Sequence, residues 1–117
     1  MAYFQKRLKS IRHAMDGLVI LFKTQANACI HLVAAIVVIA YGLYVKLNPN
    51  QWALITIAIG TVLLAEAFNT AMEFLTDMVS PGYHEQAKKV KDMAAAAVLL
   101  ASLMALGIGA FVFLYRP

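Results

Sequence analysis

The chain has 117 residues, of which 62% are apolar and only 14% are charged, as ten Lys or Arg and six Asp or Glu. Soluble domains usually carry about 25% charged residues, so the composition excludes a water-soluble globule and indicates a membrane protein. The length allows a single domain, and the one cysteine, Cys29, excludes a disulfide-stabilised fold.

A basic amphipathic helix is predicted over residues 3–24. Apolar side chains recur there at steps of three and four from Phe4 to Phe22, which is the helical period, while basic residues occupy the other faces. Phe and Leu opposite Lys and Arg are typical of a helix that lies in the headgroup plane of an anionic leaflet. Packing of the same helix against its own protein is the alternative.

Three apolar runs follow, and roughly 20 predominantly apolar residues are enough to cross a bilayer. We predict transmembrane helices at residues 28–47, 51–78 and 92–115. A proline between two asparagines at residues 48–50 predicts a short turn and therefore an antiparallel hairpin. A longer polar loop, residues 80–89, contains a Pro-Gly pair near its start. The predicted fold is an all-α integral membrane protein with an amphipathic surface helix and three transmembrane helices.

The basic residues predict the orientation of these helices. Most of them lie in the N-terminal arm and in the second loop, as Lys6, Arg7, Lys9, Arg12, Lys23, Lys88, Lys89 and Lys91. Cytoplasmic loops carry an excess of Lys and Arg, so both segments are expected on the cytoplasmic side. The C-terminal half of the second span is then its cytoplasmic half.

This half of the second span carries a polar stripe. At about 100° per residue, five polar side chains fall within a sector of roughly 100°; they are Glu66, Asn69, Thr70, Glu73 and Asp77. Each acid inside a membrane costs at least about 2.5 kcal/mol on insertion, which makes intramembrane acids candidates for function. A network that only ties helices together would need one or two polar groups. Three acids on one face repel one another unless a cation arrives or one is protonated.

Carboxylate and amide oxygens suit Mg²⁺, with a proton or a cationic substrate as the rival. The lysines of the second loop border the acidic stripe, and acids beside lysines are what a metal-bound polyphosphate requires. The sequence has neither a GxxxxGK[ST] phosphate loop nor a kinase-type glycine loop, so a bound nucleotide would be held in another way. His31 is predicted to be an interfacial or packing residue rather than a ligand.

The motif E-x-x-N-T-A-x-E-x-x-x-D from Glu66 to Asp77, followed by K-D-x-A-A from Lys91, resembles the signature of the prokaryotic diacylglycerol kinase family, which includes the undecaprenol kinases. The resemblance implies a homotrimer in the bacterial cytoplasmic (inner) membrane, with the N-terminus and the active site cytoplasmic. It implies transfer of the ATP γ-phosphoryl group to the hydroxyl of diacylglycerol or undecaprenol, with Mg²⁺ as cofactor. The expected partners are ATP, a lipid alcohol and the bilayer, and no nucleic acid.

The same resemblance implies roles for individual residues. Glu66 matches the catalytic base and Glu73 a carboxylate that holds Mg²⁺. The family commonly has a metal-binding Glu at the position of Gln25 and an Arg at that of Cys29; a Gln carbonyl can coordinate Mg²⁺ but adds no charge. The remaining matches are nucleotide-binding: Lys6, His13, Asn69, Asp77, Gly82, Tyr83, His84, Lys91 and Asp92.

Two other functions stay open at this point. A small proton- or cation-coupled transporter would also need an intramembrane Glu, although here the acids lie late in the second span beside a basic loop. An inactive lipid-binding homologue would keep the fold while losing residues such as the metal-binding Glu.

Overall fold

The computed structural model describes residues 1–115. Within them the chain forms four helices and no strand: α1 (Ala2–Thr24), α2 (Ala26–Tyr44), α3 (Pro49–Val79) and α4 (Glu85–Leu114). The last three are each long and apolar enough to cross a membrane. The predicted fold class, a surface helix followed by three transmembrane helices, is confirmed.

Helix α1 ends where the backbone becomes extended at Gln25. The Gln25 N–H donates to the Leu21 carbonyl at 3.0 Å, and Gln25 is also the N-cap of α2. Leu21 is the one buried residue of α1, and the apolar face predicted for this helix is open, with Phe4 72% and Ile11 60% exposed. An exposed apolar face next to a basic one fits a helix that lies on a lipid surface.

The turn between α2 and α3 is short and well specified. Lys46 adopts a left-handed conformation with φ 56°, and Pro49 begins α3, where its missing N–H costs nothing. Asn48 and Gln51 form a reciprocal capping box: each side-chain oxygen accepts from the other residue's backbone N–H at 2.9 Å. The turn covers residues 45–48, so it overlaps the break predicted at residues 48–50 only at Asn48, because the next two residues already belong to α3.

An apolar core fills this end of the bundle. Leu47, Ile55 and Val112 are buried together, with Trp52 and other side chains packed around them. The approach of α2 depends on Gly42, since a Cβ atom there would lie 2.8 Å from the Trp52 ring and 2.9 Å from the Leu47 side chain. This packing joins α2, α3 and α4 near the turn.

The loop between α3 and α4 is shorter than predicted. Its polar residues 80–84 connect the helices, but α4 already begins at Glu85, so residues 85–89 are helical rather than loop. The His84 Nδ1 atom accepts from the Gln86 N–H at 3.1 Å and caps the new helix, and Glu85 places a negative charge in its first turn. Hydropathy marks where a membrane begins, whereas these capping interactions determine where the helix begins.

Candidate active site

One face of α3 changes from apolar to polar along its length. Ile55, Ala58, Val62, Glu66 and Thr70 follow one another at steps of three or four, and all five are buried. Glu66 is only 2% exposed and Thr70 only 4%. The part of the predicted polar stripe from Glu66 to Thr70 therefore continues the buried stripe of α3.

The three acids of the stripe do not form a single cluster. Glu66 and Glu73 are two helical turns apart, which is about 10 Å along the axis. Among residues 1–115, no three acidic, histidine or cysteine side chains lie close enough together to share a metal ion. Each acid instead has its own polar neighbour, which is a histidine for Glu66, an amide for Glu73 and a lysine for Asp77.

Glu66 meets a histidine from the neighbouring helix. The His31 Nε2 atom lies 3.2 Å from Glu66 Oε1, and the two side chains are 28% and 3% exposed. Within the described residues, His31 is the one basic side chain at ion-pair distance from Glu66. The structure thus corrects the interpretation of His31 as a packing residue, because it contacts the acid that the sequence singles out.

Below this pair, Asn69 and Glu73 face one another. The Asn69 Nδ2 group donates to Glu73 Oε1 at 3.4 Å, across one turn of α3. Among the residues described, the buried side-chain atoms that lack a hydrogen-bond partner are Asn69 Oδ1 and Thr70 Oγ1. Buried polar atoms are nearly always paired in native proteins, so these two oxygens are candidate contacts for a ligand.

Asp77 and Lys91 meet where α3 and α4 approach the loop. The Lys91 Nζ atom donates to Asp77 Oδ1 at 2.5 Å, with the side chains 41% and 59% exposed. Lys88 makes a second pair on α4, with Asp92 Oδ2 at 2.6 Å. Four charged side chains are thus gathered beside the loop, and three of them, Asp77, Lys91 and Asp92, are residues that the resemblance matches to nucleotide binding.

The loop itself holds the next predicted residues. Gly82 and Tyr83 lie between the helices, and Tyr83 is 86% exposed. The His84 Nδ1 atom accepts the hydrogen bond that caps α4, so its Nε2 atom is available for other contacts. A groove of about 520 Å³ lies beside these residues and is lined by Thr76, His84 and mostly apolar neighbours.

Three predicted residues lie apart from the stripe. Lys6 and His13 are exposed on α1, and the His13 Nδ1 atom is 4.0 Å from the Asp16 carboxylate. Gln25 is half-buried at the junction of α1 and α2, and no side-chain hydrogen bond joins it to Glu73. The structure therefore does not bring Gln25 and the arm residues into contact with the acids of α3.

The oxygen donors of α3 fit a hard cation. Glu73 offers a carboxylate and Asn69 an unpaired buried amide oxygen one turn away. Mg²⁺ in phosphoryl-transfer sites is usually held by one or two carboxylates together with substrate phosphates and water, and a complete protein cage is not needed. The residues present are therefore compatible with a nucleotide-bound Mg²⁺, although they would not hold the free ion tightly.

An apolar groove of about 410 Å³ runs between α2 and α4 over α3. His31 lies at one end of it and Phe113 at the other, and the walls between them are alanine, valine, isoleucine and leucine side chains with a few small residues. The contact between Glu66 and His31 therefore adjoins one end of the apolar groove.

The contact of His31 with Glu66 was missed by the sequence reasoning, although a signal for it existed. The helices of an antiparallel hairpin lie side by side, so residues at similar distances from the turn are level with each other. His31 and Glu66 lie at comparable distances on either side of the turn at residues 45–48. Applying this rule to the predicted hairpin would have placed the two side chains at the same depth.

The fold and these contacts define an integral membrane protein whose second spanning helix carries a polar site at one end. Comparison with known families narrows this class. Residues 12–113 match the family model "Prokaryotic diacylglycerol kinase", so the chain belongs to that family.

Individual relatives agree with this assignment. The chain is 35% identical to an undecaprenol kinase of Bacillus subtilis, over 91% of this chain and 86% of that protein. It is 38% identical to a diacylglycerol kinase of Synechocystis, over 87% of this chain and 59% of that longer protein. It is 26% identical to a diacylglycerol kinase of Escherichia coli, over 87% of this chain and 84% of that protein.

Proposed function

We propose that the protein is a membrane lipid kinase that transfers the γ-phosphoryl group of ATP to the hydroxyl of a lipid alcohol, diacylglycerol or undecaprenol. The observation that carries the proposal is Glu66, a carboxylate that is 2% exposed on a spanning helix and lies near an apolar groove. Burying an acid at this depth costs free energy, and a function such as binding the hydroxyl of a membrane lipid accounts for its presence. Family membership supports the kinase over a transporter.

Glu66 is the proposed catalytic base. Its carboxylate accepts the hydroxyl proton as the lipid oxygen bonds to the γ-phosphorus, and the bond from phosphorus to the β,γ-bridging oxygen breaks. ADP leaves with that electron pair, and Glu66 returns its proton to water afterwards. The chain needs no covalent intermediate, because positioning and charge stabilisation supply most of phosphoryl-transfer catalysis.

Glu73 is the proposed carboxylate ligand of Mg²⁺, with the unpaired oxygen of Asn69 and the Gln25 carbonyl as neutral donors. Bound Mg²⁺ would neutralise charge on the phosphate oxygens. Two neutral donors leave Glu73 as the only anionic protein ligand of this set, which predicts a weak affinity for the metal without nucleotide.

The charged residues beside the loop are the proposed phosphate and nucleotide contacts. On nucleotide binding, Lys91 would exchange the Asp77 carboxylate for a phosphate oxygen, a change that costs little because the pair is exposed. The other proposed nucleotide contacts are Lys6, His13, Asn69, Gly82, Tyr83, His84 and Asp92. Lys6 and His13 would reach the nucleotide from α1, which lies on the same side of the membrane as the loop.

The proposed setting is the bacterial cytoplasmic (inner) membrane, with the N-terminus and the α3–α4 loop in the cytoplasm, since both are rich in Lys and Arg. ATP then reaches the site from water while the acceptor stays at headgroup depth. The apolar groove beside His31 gives the aliphatic chain of the lipid an approach to Glu66. We propose a homotrimer as the assembly, in which neighbouring subunits complete the site.

Purified protein in detergent micelles, incubated with γ-labelled ATP, Mg²⁺ and either diacylglycerol or undecaprenol, tests this proposal. We expect label in the lipid fraction with at least one acceptor, dependent on Mg²⁺. The two acceptors side by side also identify the lipid. Absence of labelled lipid with both acceptors would overturn the proposed function. Full activity of Glu66→Gln would overturn the assignment of Glu66 as the catalytic base.

A further inference from the structure

His31 has a contact that the proposed mechanism does not yet use. It lies in the early turns of α2, and its Nε2 atom is 3.2 Å from Glu66 Oε1 on α3. The contact joins two different helices, so it fixes the Glu66 side chain relative to α2 as well as to its own backbone. His31 also lines the end of the apolar groove, whereas Glu66 is not among the residues that line it.

The chemistry of the two groups determines how they interact. An ionised carboxylate only accepts hydrogen bonds, so at this contact the proton belongs on His31 Nε2. A partner at Oε1 satisfies this buried oxygen at a depth where water is scarce. It also holds the carboxylate plane, which leaves Oε2 for a second donor. A substrate hydroxyl is such a donor.

We infer that His31 is a positioning residue for the proposed base: its Nε2 atom pairs with Glu66 Oε1 at 3.2 Å and keeps Oε2 aimed at the hydroxyl of the acceptor lipid. The inference rests on the proposed kinase function. In the reaction, the lipid O–H bond breaks toward Glu66 Oε2, the lipid oxygen bonds to the γ-phosphorus, and the nucleoside diphosphate leaves with the bridging oxygen. His31 keeps its proton throughout.

A purely structural role for His31 makes different predictions, and three substitutions separate the two. His31→Leu removes the donor and keeps a comparable apolar bulk. His31→Gln retains an N–H donor that reaches about as far as Nε2, whereas His31→Asn retains a polar amide that is too short to reach Glu66. Thr56→Val on α3 is the matched control, because the Thr56 hydroxyl bonds only to the Trp52 carbonyl of its own helix.

The measurements are kcat and KM for ATP of each purified variant, normalised to the folded protein. We expect kcat to fall about 10- to 100-fold in His31→Leu and His31→Asn, since a small misplacement of a catalytic group can cost about 100-fold. We expect KM for ATP to stay within about twofold, and His31→Gln to recover most of kcat. Thr56→Val should match the parent protein.

Coupling to Glu66 provides a second readout. If His31 acts through Glu66, then His31→Leu should lower kcat no further in a Glu66→Gln background. Equal kcat in the Gln and Asn variants and the parent would overturn the inference, and so would a loss confined to thermal stability. If His31→Leu does not fold, the contrast between Gln and Asn decides the question alone. Inactive parent protein would instead contradict the proposed function.

Discussion

The two halves of α3 bury the same helix face to the same extent but with opposite chemistry. In the first half, Ile55, Ala58 and Val62 pack against apolar neighbours. In the second half, Glu66 and Thr70 occupy that face, and the Asn69 and Thr70 oxygens have no partner within the part of the chain described. Apolar packing stabilises a fold, whereas buried unpaired oxygens do not. The first half therefore contributes to the stability of the fold, and the second half holds the candidate site.

The largest effect should come from breaking the polar half at Glu66. Glu66→Gln keeps the size of the side chain but removes the base, and general bases contribute about 100- to 10,000-fold to rate. We expect kcat for lipid phosphorylation to fall by that range, measured with labelled ATP. The thermal unfolding temperature should not fall, because the substitution removes the cost of burying a charge.

The control for this experiment is Glu85→Gln, which neutralises an exposed acid in the first turn of α4. Its kcat should equal that of the parent protein. A similar loss of activity in both variants would show that net charge matters rather than the position of Glu66.

Substitutions that disturb the packing around the apolar half of α3 should lower stability and leave activity unchanged. Gly42→Ala places a Cβ atom 2.8 Å from the Trp52 ring and 2.9 Å from the Leu47 side chain, so the packing between α2 and these two side chains must change. Overpacking of this kind costs about 1–3 kcal/mol, which thermal unfolding in micelles would report as a lower midpoint. The activity of the protein that remains folded should be unchanged.

Gly60→Ala is the matched control, since a Cβ atom there meets nothing within 4 Å in the middle of α3. Alanine favours a helix over glycine by up to about 1 kcal/mol, so the midpoint should hold or rise. A fall in both variants would mean that Gly42 has no special packing role.

The sequence predicts the apolar and polar halves of α3 well. It predicts poorly which residues of the other helices contact them. Helical periodicity alone places Glu66, Asn69 and Glu73 on one face, because their spacing follows from the 3.6-residue repeat. It does not separate them into pairs, since the partners of Glu66 and Asp77 come from α2 and α4. A single histidine at the start of a span belongs to no local sequence pattern. Its contact with Glu66 can therefore be predicted only from the register of the hairpin.

Substitutions at the C-terminal end of α3, where Asp77 pairs with Lys91, should change the affinity for the nucleotide. Lys91→Gln removes the cation that pairs with Asp77, and we expect KM for ATP to rise about tenfold, equivalent to about 1.4 kcal/mol. Stability should change little because exposed ion pairs contribute little. Lys89→Gln, an exposed lysine of the same helix, is the control and should leave KM unchanged. Equal effects of both would indicate a diffuse basic patch instead of a phosphate contact at Lys91.

The smallest effect should come from the cap at the start of the apolar half. Asn48→Ala removes the oxygen that accepts from the Gln51 N–H, and losing such a cap costs about 1 kcal/mol. Asn48→Asp keeps an acceptor at this position and should retain the parent's unfolding midpoint. Because the cap lies at the opposite end of α3 from Asp77, kcat and KM for ATP of the Ala variant should equal those of the parent. A change in either constant would show that the turn is coupled to the polar site, and the two halves of α3 would then act as one unit.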